Sequence, residues 1–260
     1  MCRMLGIKNF QYNKHKEILE NFFELATTGK VQKGDPPGHL DGWGTGYYRS
    51  RFRRNKNDNA FVYKSGNSVV KEKKEFFKTL ERISDSKILI VHLRKSAWDK
   101  TATEKNAHPF KYKKYIFAHN GTIRDYKKLL QGIKPVLKPS ANALDSEVYF
   151  RYVLNMGLSP NDFYEIKSRG IPYPANAGQK RVENAFKKAI QLIKNNNIYS
   201  SLTSLFSDGK SLYAYRDYKK KSQYYTLYCA KFINSVLISS EPISNKLKWN
   251  LLKKGKLFVI

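Results

Sequence analysis

The sequence predicts an α+β protein in which helices cover antiparallel sheets. Pairs of strand-like segments joined by polar turns occur in both halves of the chain, and helical segments lie between them. The strand–helix–strand repeat that is typical of a parallel sheet is not found. The 260 residues are 41% apolar and 14% aromatic, which is enough to build a sizeable core. Since no long linker divides the chain, we expect a single domain over residues 1–260.

The N-terminal half opens with a predicted strand at residues 3–7, which are mostly apolar. An amphipathic helix is predicted at 14–27, because its apolar residues recur at helical spacing. Strands at 43–48 and 60–65 are expected to form a hairpin around a turn rich in Arg and Asn. The other elements predicted for this half are a helix at 72–82 and strands at 87–93 and 115–118.

The C-terminal half is predicted to alternate helices with a further hairpin. Strands at 199–206 and 211–215 flank Ser207-Asp208-Gly209-Lys210, a typical hairpin turn. Residues 157–178, which hold three prolines, are expected to form a long connection, the alternative being a lid on the substrate side. The remaining predictions are helices at 125–131, 143–154 and 179–194 and strands at 224–230, 235–239 and 256–260.

The charge of the chain is strongly positive, with 49 Lys and Arg against 21 Asp and Glu, a formal net charge of +28. Such an excess raises nucleic acid or an anionic surface as a partner. The lysines are scattered, however, and the densest cluster, at residues 49–54, precedes a polar run typical of a solvated loop. No zinc-finger spacing or RNA-binding aromatic motif accompanies it, so nucleic acid is not expected as a partner.

The cysteine count and the hydropathy pattern point to a cytoplasmic protein. Cys2 and Cys229 are the two cysteines, so no disulfide framework is expected, and Cys229 is interpreted as an inert core thiol. The N-terminus turns polar too quickly for a signal peptide, and no apolar run reaches the ~18 residues of a membrane span.

Cys2 would become the first residue if Met1 is removed. Its α-amine, with an ordinary pKa of about 7.7–8.0, would then lie on the same residue as the thiol. One residue would supply both nucleophile and base, as in N-terminal threonine hydrolases. A lone cysteine at the start of a strand is more commonly a structural core residue, so this observation needs support from elsewhere in the chain.

Five further motifs follow Cys2. Glycines around Gly44 let a ligand or another backbone approach a strand closely, Arg94 and Asn120 come where strands end, and Asp145 opens a helix. Taken singly, they have ordinary alternatives: a surface arginine, a turn dipeptide and a helix N-terminal charge. The motifs read Asp41-Gly42-Trp43-Gly44-Thr45-Gly46-Tyr47, Val91-His92-Leu93-Arg94, Asn106-Ala107-His108-Pro109, Ala118-His119-Asn120-Gly121 and Leu144-Asp145-Ser146-Glu147.

In this order, from Cys2 to Ser239-Ser240-Glu241-Pro242, the motifs resemble the class II, N-terminal-cysteine glutamine amidotransferases. The resemblance covers nearly the whole chain and is closest to the stand-alone type related to glutathione-degrading and ergothioneine-pathway amidohydrolases. It implies the four-layer αββα fold of N-terminal-nucleophile hydrolases, an α+β sandwich of antiparallel sheets. It also implies that Met1 is removed. No synthase domain is expected.

The resemblance assigns a role to each motif. Cys2 would attack the γ-amide carbonyl and form a γ-glutamyl thioester. The side-chain N–H of Asn120 and the backbone N–H of Gly121 would form the oxyanion hole. Arg94 would grip the substrate α-carboxylate at two points, and Asp145 would pair with the α-ammonium.

Supporting roles fall to His92, His108 and Gly44. The histidines, together with His119, are interpreted as structural or hydrogen-bonding groups behind the site. Their spacing suggests a metal site at first, but no HExxH motif or carboxylate cluster accompanies them. Neither a metal nor a cofactor is expected.

The predicted activity is release of ammonia from glutamine, either free or delivered to a separate accepting subunit. The first alternative is hydrolysis of a γ-glutamyl peptide or thiol conjugate, which needs the same core. The second is a basic binding module that keeps an inactive amidohydrolase fold, and it predicts salt-sensitive binding without turnover.

Overall fold

The computed structural model describes residues 1–48, 60–98, 100–157 and 177–260. Internal contacts divide the chain into two compact units. The first contains residues 1–121 and 201–260, and the second contains residues 122–200. The predicted Arg- and Asn-rich turn, with the basic cluster 49–54, and most of the predicted connection 157–178 lie outside the described residues.

Two antiparallel sheets form the first unit. The larger sheet has the strand order β11-β9-β10-β1-β4-β2-β3, and the smaller one has the order β12-β8-β7-β6-β5. The strands of the larger sheet are β1 (Arg3–Gln11), β2 (Trp43–Tyr48), β3 (Ala60–Ser65), β4 (Asp85–Leu93), β9 (Tyr228–Phe232), β10 (Ser235–Ser239) and β11 (Asn250–Leu251). Those of the smaller sheet are β5 (Phe110–Tyr112), β6 (Tyr115–Asn120), β7 (Thr203–Ser207), β8 (Leu212–Tyr215) and β12 (Leu257–Val259).

The larger sheet is buried on both faces, because its central strands are apolar at successive positions. One face packs against helices α1 (Tyr12–Thr28) and α2 (Lys73–Ile83). Side chains of alternate residues, such as Met4 of β1 and Ile90 of β4, point the other way and pack against Ile116 and Leu205 of the smaller sheet. The first unit therefore has a helical layer and two sheet layers, with one apolar core on each side of β1.

The second unit is mainly helical. It contains α3 (Lys127–Gln131), α4 (Asp145–Asn155), α5 (Ala177–Asn196) and a short 3₁₀ turn at Pro135–Leu137. The ends of the unit are joined by the backbone N–H of Arg124, which donates to the carbonyl of Ile198 at 2.8 Å. The Asp125 carboxylate accepts the N–H of Ile198 at 2.9 Å and reinforces this closure.

The predicted elements are largely confirmed, and the α+β class with antiparallel sheets is correct. Two strand predictions were wrong at their N-terminal ends. The strand predicted at 199–206 begins at Thr203, because residues 199 and 201 form isolated bridges only. The strand predicted at 224–230 begins at Tyr228, after a 3₁₀ turn at Ser222–Tyr224. The short edge strands β5 and β11 were not predicted.

Candidate active site

The position of Cys2 follows from the register of the larger sheet. Arg3 of β1 pairs with Leu93 of β4, so Cys2 lies where the first strand begins and β4 ends. The residue is 7% exposed. Its backbone N–H donates a hydrogen bond of 2.9 Å to Oδ1 of Asn120, and its Sγ lies 3.5 Å from the carbonyl oxygen of Lys95. The contact with Asn120 joins the start of β1 in one sheet to the end of β6 in the other.

Asn120 is fully buried, and its amide orientation is set by its neighbours. Because Oδ1 accepts from Cys2, the other end of the amide, Nδ2, is the donor, and it lies 3.4 Å from the carbonyl of Tyr224. The next residue must be glycine. A Cβ on Gly121 would lie 2.1 Å from the carbonyl oxygen of Ser201 and 2.8 Å from Nε2 of His119. Asn120 thus lies beside Cys2, with Gly121 next to it in the chain, and the oxyanion hole expected of these two residues stays a prediction.

Arg94 lies directly after β4, and its side chain is buried. One terminal nitrogen donates to the carbonyls of Asp41, at 3.2 Å, and Thr101, at 2.7 Å. The other donates to the hydroxyls of Ser96, at 3.1 Å, and Thr101, at 3.0 Å. These acceptors are carbonyl and hydroxyl oxygens of the neighbouring loop, and they hold the guanidinium in a fixed orientation.

His92, His108 and Gly44, which were predicted to support the site, lie close to one another. The rings of His92 and His108 stack with centroids 4.3 Å apart, and among the described residues neither ring nitrogen of His108 has a hydrogen-bond partner. Burial lowers the pKa of both histidines well below the ordinary value, and it lowers the pKa of His119 to about 4. A Cβ on Gly44 would lie 2.4 Å from the carbonyl oxygen of His108, so the glycine allows close approach of a backbone.

Asp145 is described within the second unit, at the first position of α4. Its Oδ2 accepts the backbone N–H of Ile123 at 2.9 Å, and the residue is 3% exposed. The carboxylate therefore has a structural role inside its own unit. Its predicted pairing with a substrate ammonium stays a prediction.

Sequence reasoning missed three residues around Cys2. His39 contacts the carbonyl of Met1 through Nδ1 at 2.7 Å. Burial, and then the Arg3 cation, lower the pKa of His39 to about 3. Arg3 and Glu241 form an ion pair of 2.5 Å. Arg3 stands next to Cys2 and Glu241 within a quoted motif, but a charged pair gives no signal in sequence that it is buried.

Two classes of feature are missing from the part of the chain that the structure describes. No group of three or more His, Cys, Asp or Glu residues there is arranged to hold a metal ion. None of the helices in that part is both long and apolar enough to cross a membrane.

With this geometry established, comparison with known proteins identifies the family. The family model described as class-II glutamine amidotransferases matches residues 1–234. The chain belongs to the class II glutamine amidotransferases. Its Cys2 lies at the N-terminus.

Relatives of this amidotransferase differ in length. An uncharacterised protein of Methanocaldococcus jannaschii is 28% identical over 232 residues, which are 87% of this chain and 54% of the relative. The chain thus spans about half the length of this curated relative.

Solved structures of other amidotransferases share the fold. A glutamine aminotransferase class-II domain protein from Silicibacter pomeroyi matches 100% of this chain and 94% of its own, with a TM-score of 0.60 and 18% identity. Glutamine phosphoribosylpyrophosphate amidotransferase from B. subtilis matches 100% of this chain and 47% of its own, with a TM-score of 0.60 and 13% identity. These likenesses confirm the fold of the N-terminal-nucleophile hydrolases for this amidotransferase.

Proposed function

We propose that this amidotransferase hydrolyses the γ-amide of glutamine through a γ-glutamyl thioester on Cys2 and so releases ammonia. The observation that carries the proposal is the 2.9 Å hydrogen bond from the nitrogen of Cys2 to Oδ1 of Asn120. It supports a site in which one residue carries nucleophile and base and a neighbouring amide orients both. Family membership supports the choice of a glutamine-type substrate.

The proposal requires removal of Met1, because the nitrogen of Cys2 is otherwise a peptide nitrogen without basicity. After removal, that nitrogen would be an α-amine still within reach of Asn120 Oδ1. The amine would take the proton of the thiol, and the sulfur would attack the γ-carbonyl carbon of the substrate. The carbonyl electron pair would move to oxygen, giving a tetrahedral oxyanion.

Asn120 and Gly121 would stabilise that oxyanion. With Oδ1 of Asn120 bound to the nitrogen of Cys2, its Nδ2–H is left as a donor, and the N–H of Gly121 follows in the chain. Collapse of the intermediate would break the C–N bond, and the amine of Cys2 would return its proton to the leaving ammonia. Water would then cleave the thioester to glutamate and restore the thiol.

Arg94 and Asp145 would hold the two charged ends of the amino acid. The buried Arg94 guanidinium donates to the carbonyl and the hydroxyl of Thr101, so a substrate carboxylate that took the place of one of these acceptors would form a charge-assisted hydrogen bond. The pairing of Asp145 with the ammonium, a separate ammonia-accepting subunit and a cytoplasmic location remain predictions.

Substitution of the nucleophile tests the proposal. Purified protein is first checked by intact mass for loss of Met1, and glutamate formation from glutamine is measured. Cys2→Ala and Cys2→Ser should lose turnover and keep the fold. The matched Cys229→Ala variant should keep both. An electrophilic glutamine analogue should add its mass to the N-terminal peptide alone. Full activity of Cys2→Ala would refute the mechanism.

The choice of substrate is tested in the same assay. γ-Glutamyl peptides and a γ-glutamyl thiol conjugate are compared with glutamine at equal concentration. A higher kcat/KM for glutamine supports the proposal. A higher value for a peptide or a conjugate would show that this compound, and not glutamine, is the preferred substrate.

A further inference from the structure

Arg3 carries a positive charge in the interior of the protein. It is the residue after Cys2, it lies on the central strand β1, and it is 1% exposed. A buried charge is stable only if it is paired and hydrogen-bonded. The hydrogen-bond and ion-pair partners of Arg3 therefore indicate the role of this residue in the interior.

Those partners come from three separate parts of the chain, one of which is Cys2 itself. Nη1 of Arg3 donates to the carbonyl of Cys2 at 2.8 Å, and Nη2 donates to the carbonyl of Lys30. Nε faces Oε1 of Glu241 at 2.5 Å, and the same oxygen accepts the backbone N–H of Lys30 at 2.8 Å. The ion pair thus binds both backbone polar groups of Lys30, the N–H and the carbonyl. Through Arg3 it also joins Lys30 to the carbonyl of Cys2.

Glu241 is itself held in place by the sheet. It follows β10, which pairs with β1, and the preceding Ser240 bonds Met4 twice. The N–H of Ser240 donates to the carbonyl of Met4 at 2.9 Å, and the N–H of Met4 donates to Oγ of Ser240 at 2.9 Å. The carboxylate therefore approaches Arg3 from a fixed backbone.

We propose that the Arg3–Glu241 pair is a positioning device for the nucleophile. It holds the carbonyl of Cys2 while Asn120 holds the nitrogen, so the backbone of Cys2 is fixed at both ends. With both ends fixed, the Cα–Cβ bond of Cys2 has a fixed direction, and Sγ is limited to the staggered positions around that bond. Neither Arg3 nor Glu241 needs to touch the substrate for this effect. The kinetic consequence rests on the proposed function, since it requires turnover of glutamine.

Stability alone does not account for the arrangement. Replacing a buried ion pair by apolar residues is often neutral or stabilising, so such a pair is weak evidence for a role in stability. Orientation of the reacting groups is different, because a misplacement of about 1 Å can lower the rate about 100-fold. The pair is therefore expected to affect turnover more than folding.

Two variants separate positioning from stability. Glu241→Gln keeps the size of the side chain and removes its charge, and it should lower kcat at least about 10-fold while KM stays within about twofold. The double variant Arg3→Met/Glu241→Leu should regain the melting temperature of the wild type without regaining kcat. Glu17→Gln, which removes an exposed pair with Lys246, is the matched control and should leave kcat and KM unchanged.

A second readout does not depend on the proposed function. Alkylation of Cys2 and Cys229 by iodoacetamide is followed by mass spectrometry, with the half-buried Cys229 as internal reference. In Glu241→Gln, a less constrained Cys2 should react at least about threefold faster relative to Cys229, whereas general unfolding would accelerate both.

The outcomes are distinct. A wild-type protein that forms no glutamate refutes the proposed function, and the alkylation ratio still tests the positioning. An unchanged ratio in Glu241→Gln overturns the inference, as does wild-type kcat in either variant of an active enzyme. A raised ratio with a selective loss of kcat supports it.

Discussion

Replacement of Asn120 tests the two ends of its amide separately. Asn120→Asp keeps an oxygen that can accept from the nitrogen of Cys2 and replaces the Nδ2–H donor by a second oxygen. Asn120→Ala removes both ends. Asn196→Ala, at an exposed position in α5, is the matched control.

The structure gives the magnitudes. Loss of one oxyanion donor raises the barrier by about 2.7–4 kcal/mol, so both variants should lose about 100- to 1,000-fold in kcat. Asn120→Ala also leaves the buried nitrogen of Cys2 without its 2.9 Å acceptor, which costs about 1–3 kcal/mol of folding free energy. Asn120→Asp retains that acceptor but, when ionised, buries a carboxylate oxygen against the Tyr224 carbonyl, so it should be the more stable of the two only at acidic pH, where its carboxyl is protonated.

Glutamate formation under single-turnover conditions and denaturant unfolding are the two assays. The reasoning predicts a shared loss of kcat and a difference in stability between the two variants. Turnover of Asn120→Asp within about tenfold of the wild type would exclude Nδ2 as an oxyanion donor. Equal stability of the two variants at acidic pH would exclude Oδ1 as the group that orients the nitrogen of Cys2.

Two further predictions concern packing and pH. Gly121→Ala should unfold at a lower temperature and lose at least about tenfold in kcat, since its Cβ would meet the backbone oxygen of Ser201 at 2.1 Å. Gly178→Ala, whose Cβ would meet nothing within 4 Å, should instead stabilise α5 by up to ~1 kcal/mol, and equal melting temperatures would contradict both expectations. Burial lowers the pKa of His39 to about 3 and that of His119 to about 4. As the pH falls below about 6.5, these histidines become protonated in the unfolded chain before they do in the folded protein, so the stability of the fold should decrease. Each histidine should lower the free energy of unfolding by up to about 1.4 kcal/mol per pH unit in this range. A free energy of unfolding that is constant from pH 7 to 4.5 would disprove the effect.

The sequence predicted those parts of the fold that local patterns determine. The strands at 43–48, 60–65 and 235–239 were predicted to the residue, because each is a short β-rich run bounded by polar turns. The hairpin at Asp208 was predicted from its turn residues.

Elements that depend on distant partners were not predictable in this way. Residues 225–227 resemble a strand, but Nε of Arg216 donates to the carbonyl of Tyr225, and the hydroxyl of Thr226 donates to the carbonyl of Ser240. These side-chain contacts replace the ladder that the pattern predicts. Burial at this place comes from the tertiary structure, which a local window does not contain.

The residues of the site likewise fall into those that a local motif reveals and those that depend on distant partners. Cys2, Arg94 and Asn120 stand at strand ends and could be proposed from their motifs, whereas Arg3 and Glu241 are 238 positions apart in the chain and meet only through the pairing of β1 with β10. A charged residue is normally solvated, so neither Arg3 nor Glu241 is expected in the interior on the basis of its own sequence neighbours.

The burial of Met1 sets an order of events for maturation. Met1 is 9% exposed, its carbonyl contacts His39, and the strand that follows it lies between β4 and β10. A methionine aminopeptidase acts on an extended, accessible terminus, which the folded chain does not offer. Under the proposed mechanism, trimming would therefore have to precede folding, and molecules that fold with Met1 in place would lack the free amine on Cys2.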